Sequence, residues 1–452
     1  MTRIVIVGGG PAGYEAALVA VQLGGEVTLV ERDGVGGMCV LADCVPSKTL
    51  IATSEAMTQL SHADLLGVHT DGSVTARVAE VHARVKALAV AQSADIAARL
   101  VREGVSIRYG AARLLPGREV EVGPDRVAAD VVLLATGAHP RVLPGAEPDG
   151  ERILDWRQLY DLPSLPEHLV VVGSGVTGAE FASAYLAMGC QVTLVSSRDR
   201  VLPSEDPDAA EQLQQVFVRR GMSVLRGRAA GVDRTPDGVV VRLADGSSVA
   251  ASHCLMTVGS VPNTHDLGLA EAGVMVDEGG FIKVDRVSRT TVSGVYAAGD
   301  VTGVLMLASV AAMQGRIAMW HALGEAVAPL RLATVAANVF TDPEVASVGV
   351  SQKHVDDGTV LARSVRLPLA TNARAKMQGV TDGFVKLFCR PGSGTVLGGV
   401  VVAPRASELI LPVSMAVQNG ITADQLAHTF SIYPSLGGSI TEAARQLMLH
   451  ET

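Results

Sequence analysis

Aromatic side chains are scarce in this sequence: phenylalanine, tryptophan and tyrosine make up 3% of 452 residues. A surface that stacks unpaired bases needs aromatic platforms, which argues against a single-stranded nucleic-acid binder. Positive charge is also in deficit. Lysine and arginine number 37 against 46 acidic residues, a formal net charge of −9, the wrong sign for a protein that tracks a phosphate backbone. Five cysteines are too few to make a chain of this length a disulfide scaffold. No uninterrupted apolar run reaches the roughly 20 residues that span a bilayer. The first strand-like run, Ile4-Val5-Ile6-Val7, starts almost at Met1, so no leader is expected. A cytoplasmic protein of two or three domains is therefore expected, with no integral membrane association and no metal.

Glycine, by contrast, is abundant and placed with a pattern. Arg3 to Val7 reads as a buried parallel strand, followed by Gly8-Gly9-Gly10-Pro11-Ala12-Gly13, an Ala-rich helix, and a second strand ending at Glu31. Gly8 makes a tight turn, Gly10 lets the backbone approach a pyrophosphate, and Gly13 lets helix and strand pack. Glu31 can accept hydrogen bonds from a ribose. Pro11 and Ala12 belong to the same phosphate-facing turn. The pattern returns after a strand at 169–172, as Gly173-Ser174-Gly175-Val176-Thr177-Gly178-Ala179-Glu180. Two fingerprints imply two nucleotides, and a flavin beside a nicotinamide is the usual pairing. The next strand, 192–195, runs into Ser196-Ser197-Arg198-Asp199-Arg200. No carboxylate stands where a ribose 2′-hydroxyl would be read; small hydroxyls and two arginines suit a 2′-phosphate instead. NADPH is expected, with NADH tolerated, and a solvated basic turn beside Asp199 is the other reading.

After the first fingerprint comes Gly36-Gly37-Met38-Cys39-Val40-Leu41-Ala42-Asp43-Cys44-Val45-Pro46-Ser47-Lys48. Two cysteines five positions apart can share one helical turn, with their sulfurs on one face and within disulfide reach. A helix N-terminus and a nearby lysine lower a thiolate pKa. The alternative is a pair of buried structural cysteines. Cys190, Cys254 and Cys389 lie in apolar segments, where a core thiol is the default.

This stretch resembles the redox-active disulfide of the flavoprotein disulfide reductases, the family of lipoamide dehydrogenase, glutathione reductase and mercuric reductase. Further segments resemble the family in its own order: Gly110-Ala111-Ala112, Ala135-Thr136-Gly137, 256–263, Gly294 through Asp300, and Phe340-Thr341-Asp342-Pro343-Glu344. The resemblance implies an α/β protein with two Rossmann-like domains and a C-terminal α+β dimerisation domain. Its boundaries are 1–150 for FAD, 151–279 for NAD(P)H, 280–329 for a return segment completing the FAD domain, and 330–452 for the interface. It implies that FAD is held by Gly8, Gly10, Pro11, Ala12, Gly13, Glu31, Gly37, Met38, Cys39, Lys48, Ala112, Thr136, Gly137, Asp300 and Ala308. NAD(P)H would be held by Gly173, Gly175, Val176, Gly178, Glu180, Ser197, Arg198, Arg200 and Gly259. Cys44 would lie against the flavin and Cys39 would be the interchange thiol. Lys48 and Glu180 would pair near the flavin, although Glu180 also reads as a helix-surface residue. A homodimer is implied, with a tetramer left open.

The chain departs from the family near its end. Disulfide-reducing members carry a His-Pro followed by a glutamate, an acid–base dyad for the thiols. Here Tyr433-Pro434 and Gly438 stand at those positions. A phenol titrating near 10 is a poor proton shuttle at neutral pH, and loss of such a step removes about 10²- to 10⁴-fold of rate. His428 is close by but at a different offset. Ser260 replaces the family's arginine, and the C-terminal cysteine pair of mercuric reductases is missing. These departures resemble an actinobacterial subgroup named after lipoamide dehydrogenase but described as NAD(P)H:quinone reductases; members often lack the first cysteine, which this chain keeps as Cys39. The expected activity is hydride transfer from NADPH or NADH to FAD and on to a quinone, with Cys39, Cys44, Lys48, Glu180 and Tyr433 at the catalytic centre. The alternatives are a reductase of a small disulfide through Cys39 and Cys44, and a non-enzymatic flavin-bearing subunit.

Overall fold

The computed structural model describes residues 1–69 and 72–448, and the chain gathers into two compact units. The first takes 1–49, 82–141 and 259–331, the second 50–81, 142–258 and 332–452.

In the first unit five strands lie parallel in the order Val295–Ala297, Val131–Leu134, Arg3–Val7, Glu26–Glu31, Ser106–Tyr109. Arg3–Val7 is central, and Ile4, Val5 and Ile6 are at most 1% exposed. Covered on both faces, such a strand reads as an unbroken apolar run rather than an alternating one. One face packs on the Pro11–Gln22 and Ala308–Ala322 helices through Ala16, Ala17, Ala20 and Ala318. Those helices cross so closely that a Cβ on Gly315 would stand 2.1 Å from the Ala12 carbonyl oxygen. Leu114, Val120 and Val122 of a three-stranded antiparallel ribbon pack on the other face.

The second unit repeats the scheme. Its parallel strands run Ser223–Arg226, Gln191–Ser196, His168–Val172, His253–Met256, Ile153–Leu154, with the Val176–Ala187 helix behind the central strand. A five-stranded antiparallel sheet follows in the order Ala336–Val339, Glu344–Gly349, Val396–Ala403, Phe384–Cys389, Arg363–Pro368. One face packs Val385, Leu387 and Val401 against Val413, Ala416, Ile440 and Ala444 of the C-terminal helices. From the other face the buried Lys386 ammonium reaches Asp206 at 3.1 Å and Asp208 at 2.7 Å. Burial of that lysine is tolerable because two carboxylates replace its water. The fold class is the α/β architecture with a C-terminal α+β body that the sequence implies.

Candidate active site

Each parallel sheet ends in a glycine turn beneath a helix N-terminus. Gly8 has φ +105°, and a Cβ there would stand 2.2 Å from the Ala135 carbonyl oxygen; on Gly13 it would stand 1.8 Å from the Gly8 carbonyl oxygen. Glycine is thus demanded twice within six residues. Gly10 caps the helix in extended conformation, with Pro11 in the first turn, where its missing N–H matters least. Glu31 is 7% exposed. Its Oε2 accepts the Gly9 amide at 2.6 Å, and Oε1 accepts the amides of Arg32 and Asp33 at 2.7 and 2.8 Å.

Gly37, at φ +58°, lies so near this turn that its Cβ would meet Gly10 Cα at 3.0 Å, and the Gly36 amide donates to the Gly9 carbonyl at 2.8 Å. The cysteine stretch is thereby laid beside the phosphate turn. Its conformation corrects the sequence expectation: Cys39 and Cys44 do not share a helical turn. A short Gly37–Leu41 helix ends where the Ala42 and Asp43 amides both donate to the Met38 carbonyl, and a new helix, Cys44–Ser61, begins. Pro46 explains the break, since its ring would collide with the carbonyl four residues back and it has no N–H to donate there. The sulfurs meet across the break as free thiols. Their mutual hydrogen bond lowers the pKa of Cys39 and raises that of Cys44; burial and the Asp43 carboxylate oppose ionisation of both, and Lys48 favours it.

Asp300 sits at the end of the Val295–Ala297 strand, after Gly299. Burial first and Asp43 second raise its pKa to about 6. No donor among the described residues reaches its carboxylate, so it is a half-buried acceptor without a partner. It does not cap the following helix, whose N-cap is Leu307 with Ala308 as first residue. Thr136 and Gly137 are clamped by Asn263: Thr136 Oγ1 donates to the Asn263 carbonyl at 2.8 Å, Asn263 Nδ2 returns a bond to the Thr136 carbonyl at 2.8 Å, and His139 Nδ1 lies 2.6 Å from Asn263 Oδ1. Asn263 and His139 were not among the expected site residues; they are 124 positions apart and meet only through the paired strands Ala138–Pro140 and Ser260–Pro262. Gly259, expected with the nicotinamide group, accepts the Arg141 amide at 2.9 Å in the first unit, where Arg141 Nη2 also donates to the Ser260 carbonyl at 3.3 Å. Ala112 opens the antiparallel ribbon.

The second unit presents the same turn. Gly173 has φ +115° and lies under Thr257, and a Cβ on Gly178 would stand 1.8 Å from the Gly173 carbonyl oxygen. Nothing lies within 4 Å of a Cβ on Gly175, and Val176 starts the helix, exposed. Glu180, 4% exposed, accepts the Phe340 amide at 2.9 Å, so the helix-surface reading of this glutamate is overturned. Ser197, Arg198 and Arg200 line an open cavity of about 420 Å³.

Both turns leave the second glycine without a close neighbour on its Cβ side, nearest the Gly36 carbonyl oxygen at 4.0 Å for Gly10 and nothing within 4 Å for Gly175, with packed glycines beneath and a helix N-terminus, the cradle that a dinucleotide pyrophosphate requires. The partnerless Asp300 suits the hydroxyls of a flavin side chain, so the first cradle fits FAD and the second a pyridine nucleotide. Near the C-terminus, Tyr433 is 85% exposed and Gly438 starts a helix. His428 is exposed, its Nδ1 2.8 Å from the Asp424 carbonyl of its own helix.

Residues 2–315 match the family described as pyridine nucleotide-disulphide oxidoreductase, and 335–444 match its dimerisation domain. The chain belongs to the pyridine nucleotide-disulphide oxidoreductases. It is an FAD- and NAD(P)H-dependent oxidoreductase, and its dimerisation domain makes it a homodimer. Among relatives of this oxidoreductase, the NAD(P)H dehydrogenase (quinone) of Mycobacterium tuberculosis is 58% identical, over all of this chain and 95% of the relative. The dihydrolipoyl dehydrogenase of Chlamydia trachomatis is 32% identical over 97% and 95%. The crystal structure of LpdA from Mycobacterium tuberculosis superposes with a TM-score of 0.95 at 57% identity, covering 99% of this chain and all of that one. The flavoprotein disulfide reductase RclA from Escherichia coli gives 0.87 at 25% identity over 98% and 99%. No helix among the described residues is long and apolar enough to cross a membrane.

Proposed function

We propose that this oxidoreductase is a cytoplasmic NAD(P)H:quinone reductase that prefers NADPH and reduces its acceptor without thiol exchange. FAD, when bound, supplies the two-electron relay between nicotinamide and quinone. The chain's residues bind and orient. The helix N-termini at Gly10–Pro11 and Gly175–Val176 would meet pyrophosphates, Asp300 would accept a flavin-chain hydroxyl, and Lys48 would set the charge at the flavin ring. The carrying observation is the mismatch between two complete nucleotide cradles and an exposed Tyr433 with Gly438 where a disulfide reductase holds its acid–base dyad. A quinone takes up protons from water and needs no such dyad, whereas a leaving thiolate does. The quinone named for the 58% identical relative supports the same acceptor class.

A second reading, reduction of a small disulfide, is favoured by the meeting of Cys39 and Cys44. Steady-state NADPH oxidation by the holoenzyme, with a naphthoquinone and with lipoamide, separates the two. Quinone turnover at least 10²-fold faster than lipoamide turnover is expected from the missing dyad; comparable rates would overturn the proposal.

A further inference from the structure

The two nucleotide cradles allow this chain to be compared with itself. In the first unit Val7 lies beside Val30, and the Gly8 amide donates to the Val30 carbonyl at 2.8 Å. In the second, Val172 lies beside Val195, and the Gly173 amide donates to the Val195 carbonyl at 3.0 Å. That register makes Ser196 the counterpart of Glu31, and Ser174 the counterpart of Gly9. Where the Gly9 amide meets the Glu31 carboxylate, Ser174 Oγ stands 2.7 Å from Ser196 Oγ. Where the Asp33 amide meets Glu31, the Arg198 amide donates to Ser196 Oγ at 3.2 Å. Ser196 is 1% exposed. Its hydroxyl closes the strand end and offers nothing to a ribose.

The neighbouring strand then supplies a group that the motif alone does not contain. Arg226 pairs in register with Ser196, and its Nη2 reaches Asp199 Oδ1 at 2.5 Å, both side chains 78% exposed. Arg198, Asp199 and Arg200 line the adjoining cavity, and among the described residues neither Arg198 nor Arg200 has a carboxylate partner.

We propose that Arg226 is a cofactor-selectivity residue that rests on Asp199 when NADH is bound and transfers to the 2′-phosphate when NADPH is bound. This deepens, and rests on, the NADPH preference proposed above. Three guanidiniums against one carboxylate leave two positive charges, matched to a phosphate monoester of about −2. A fully hydrated ion pair contributes little, so leaving Asp199 is easy, while a guanidinium–phosphate contact is charge-assisted and bidentate. Asp199, itself a lining residue, holds Arg226 beside the cavity and offsets one of the three positive charges when no 2′-phosphate is there to do so.

The test is the ratio of kcat/KM for NADPH to that for NADH, measured on holoenzyme with ferricyanide, together with inhibition by 2′,5′-ADP and by 5′-AMP. Arg226→Gln should lower the ratio about tenfold through KM for NADPH, and weaken 2′,5′-ADP but not 5′-AMP. Asp199→Asn should raise the ratio. Both side chains are exposed, so FAD content and melting temperature should match the parent. If Arg226→Gln leaves the ratio unmoved while Arg198→Gln lowers it, Arg226 has no such role and the NADPH reading survives. If the parent prefers neither dinucleotide and binds 2′,5′-ADP no better than 5′-AMP, the NADPH reading fails and takes this inference with it.

Discussion

Asp43 is one residue from Cys44 and four from Cys39. After the thiols' mutual hydrogen bond and burial, its carboxylate is the strongest influence on both, and it raises their pKa values. Asp43→Asn should therefore move the iodoacetamide reactivity of the reduced holoenzyme to lower pH; an unchanged pH profile would show that the carboxylate does not bear on the sulfurs. Asp300 gives a prediction of opposite kind. Its folded pKa of about 6 lies above the ordinary carboxylate value, owing to burial and then Asp43. Between about pH 4 and 6 the unfolded chain releases this proton first, so apo-protein stability falls as pH rises through that window and stays low above it. Asp300→Asn should raise the melting temperature of apo-protein at pH 7.5, by up to roughly 3 kcal/mol in stability, with the gap closing below pH 4, and should weaken FAD binding. A gap that is independent of pH would contradict the burial argument. At this scale the sequence was only partly legible. Glycines with forced conformations carry their reason in the motif, but the raised pKa of Asp300 comes from burial and from Asp43, which only the fold brings to it.

The two glycine turns are the elements most completely readable from sequence, because strand, turn and helix are contiguous and each glycine answers a local steric demand. The second turn offers a clean test. A methyl group on Gly178 would stand 1.8 Å from the Gly173 carbonyl oxygen and 2.7 Å from Thr257 Oγ1, so helix and strand must part. Gly178→Ala should cut kcat/KM for NADPH more than tenfold while FAD content stays full; unchanged NADPH kinetics would place the pyridine nucleotide elsewhere. The cysteine stretch was less legible. Spacing alone allowed one helical turn, and only the position of Pro46 within the second helix dictates the break at Ala42–Asp43. Arg226 and the Asn263 clamp were invisible for a different reason, since strand register, parallel for the one and antiparallel for the other, brings together residues that sequence distance keeps apart.

At the scale of the whole molecule, Phe430, Ile432 and Tyr433 are 104%, 82% and 85% exposed, an apolar strip unsuited to water unless a second copy covers it. Phe430→Asp combined with Ile432→Asp should convert the dimer to monomer in sedimentation at micromolar concentration; an unaltered dimer would move the interface off this strip. The fold class was legible because two nucleotide motifs and a C-terminal segment without one follow in order, whereas the exposure of this strip appears only in the folded chain. In the proposed function, electrons reach the acceptor without passing through the thiols. Quinone-dependent NADPH oxidation by the Cys39→Ser holoenzyme, compared with the parent at equal FAD content, tests it most directly. Turnover within about twofold of the parent is the predicted result, since general acid–base and thiol steps of about 10²-fold or more would otherwise be missing. A loss of tenfold or more would mean that the Cys39–Cys44 pair carries the electrons and that the enzyme is a disulfide reductase after all.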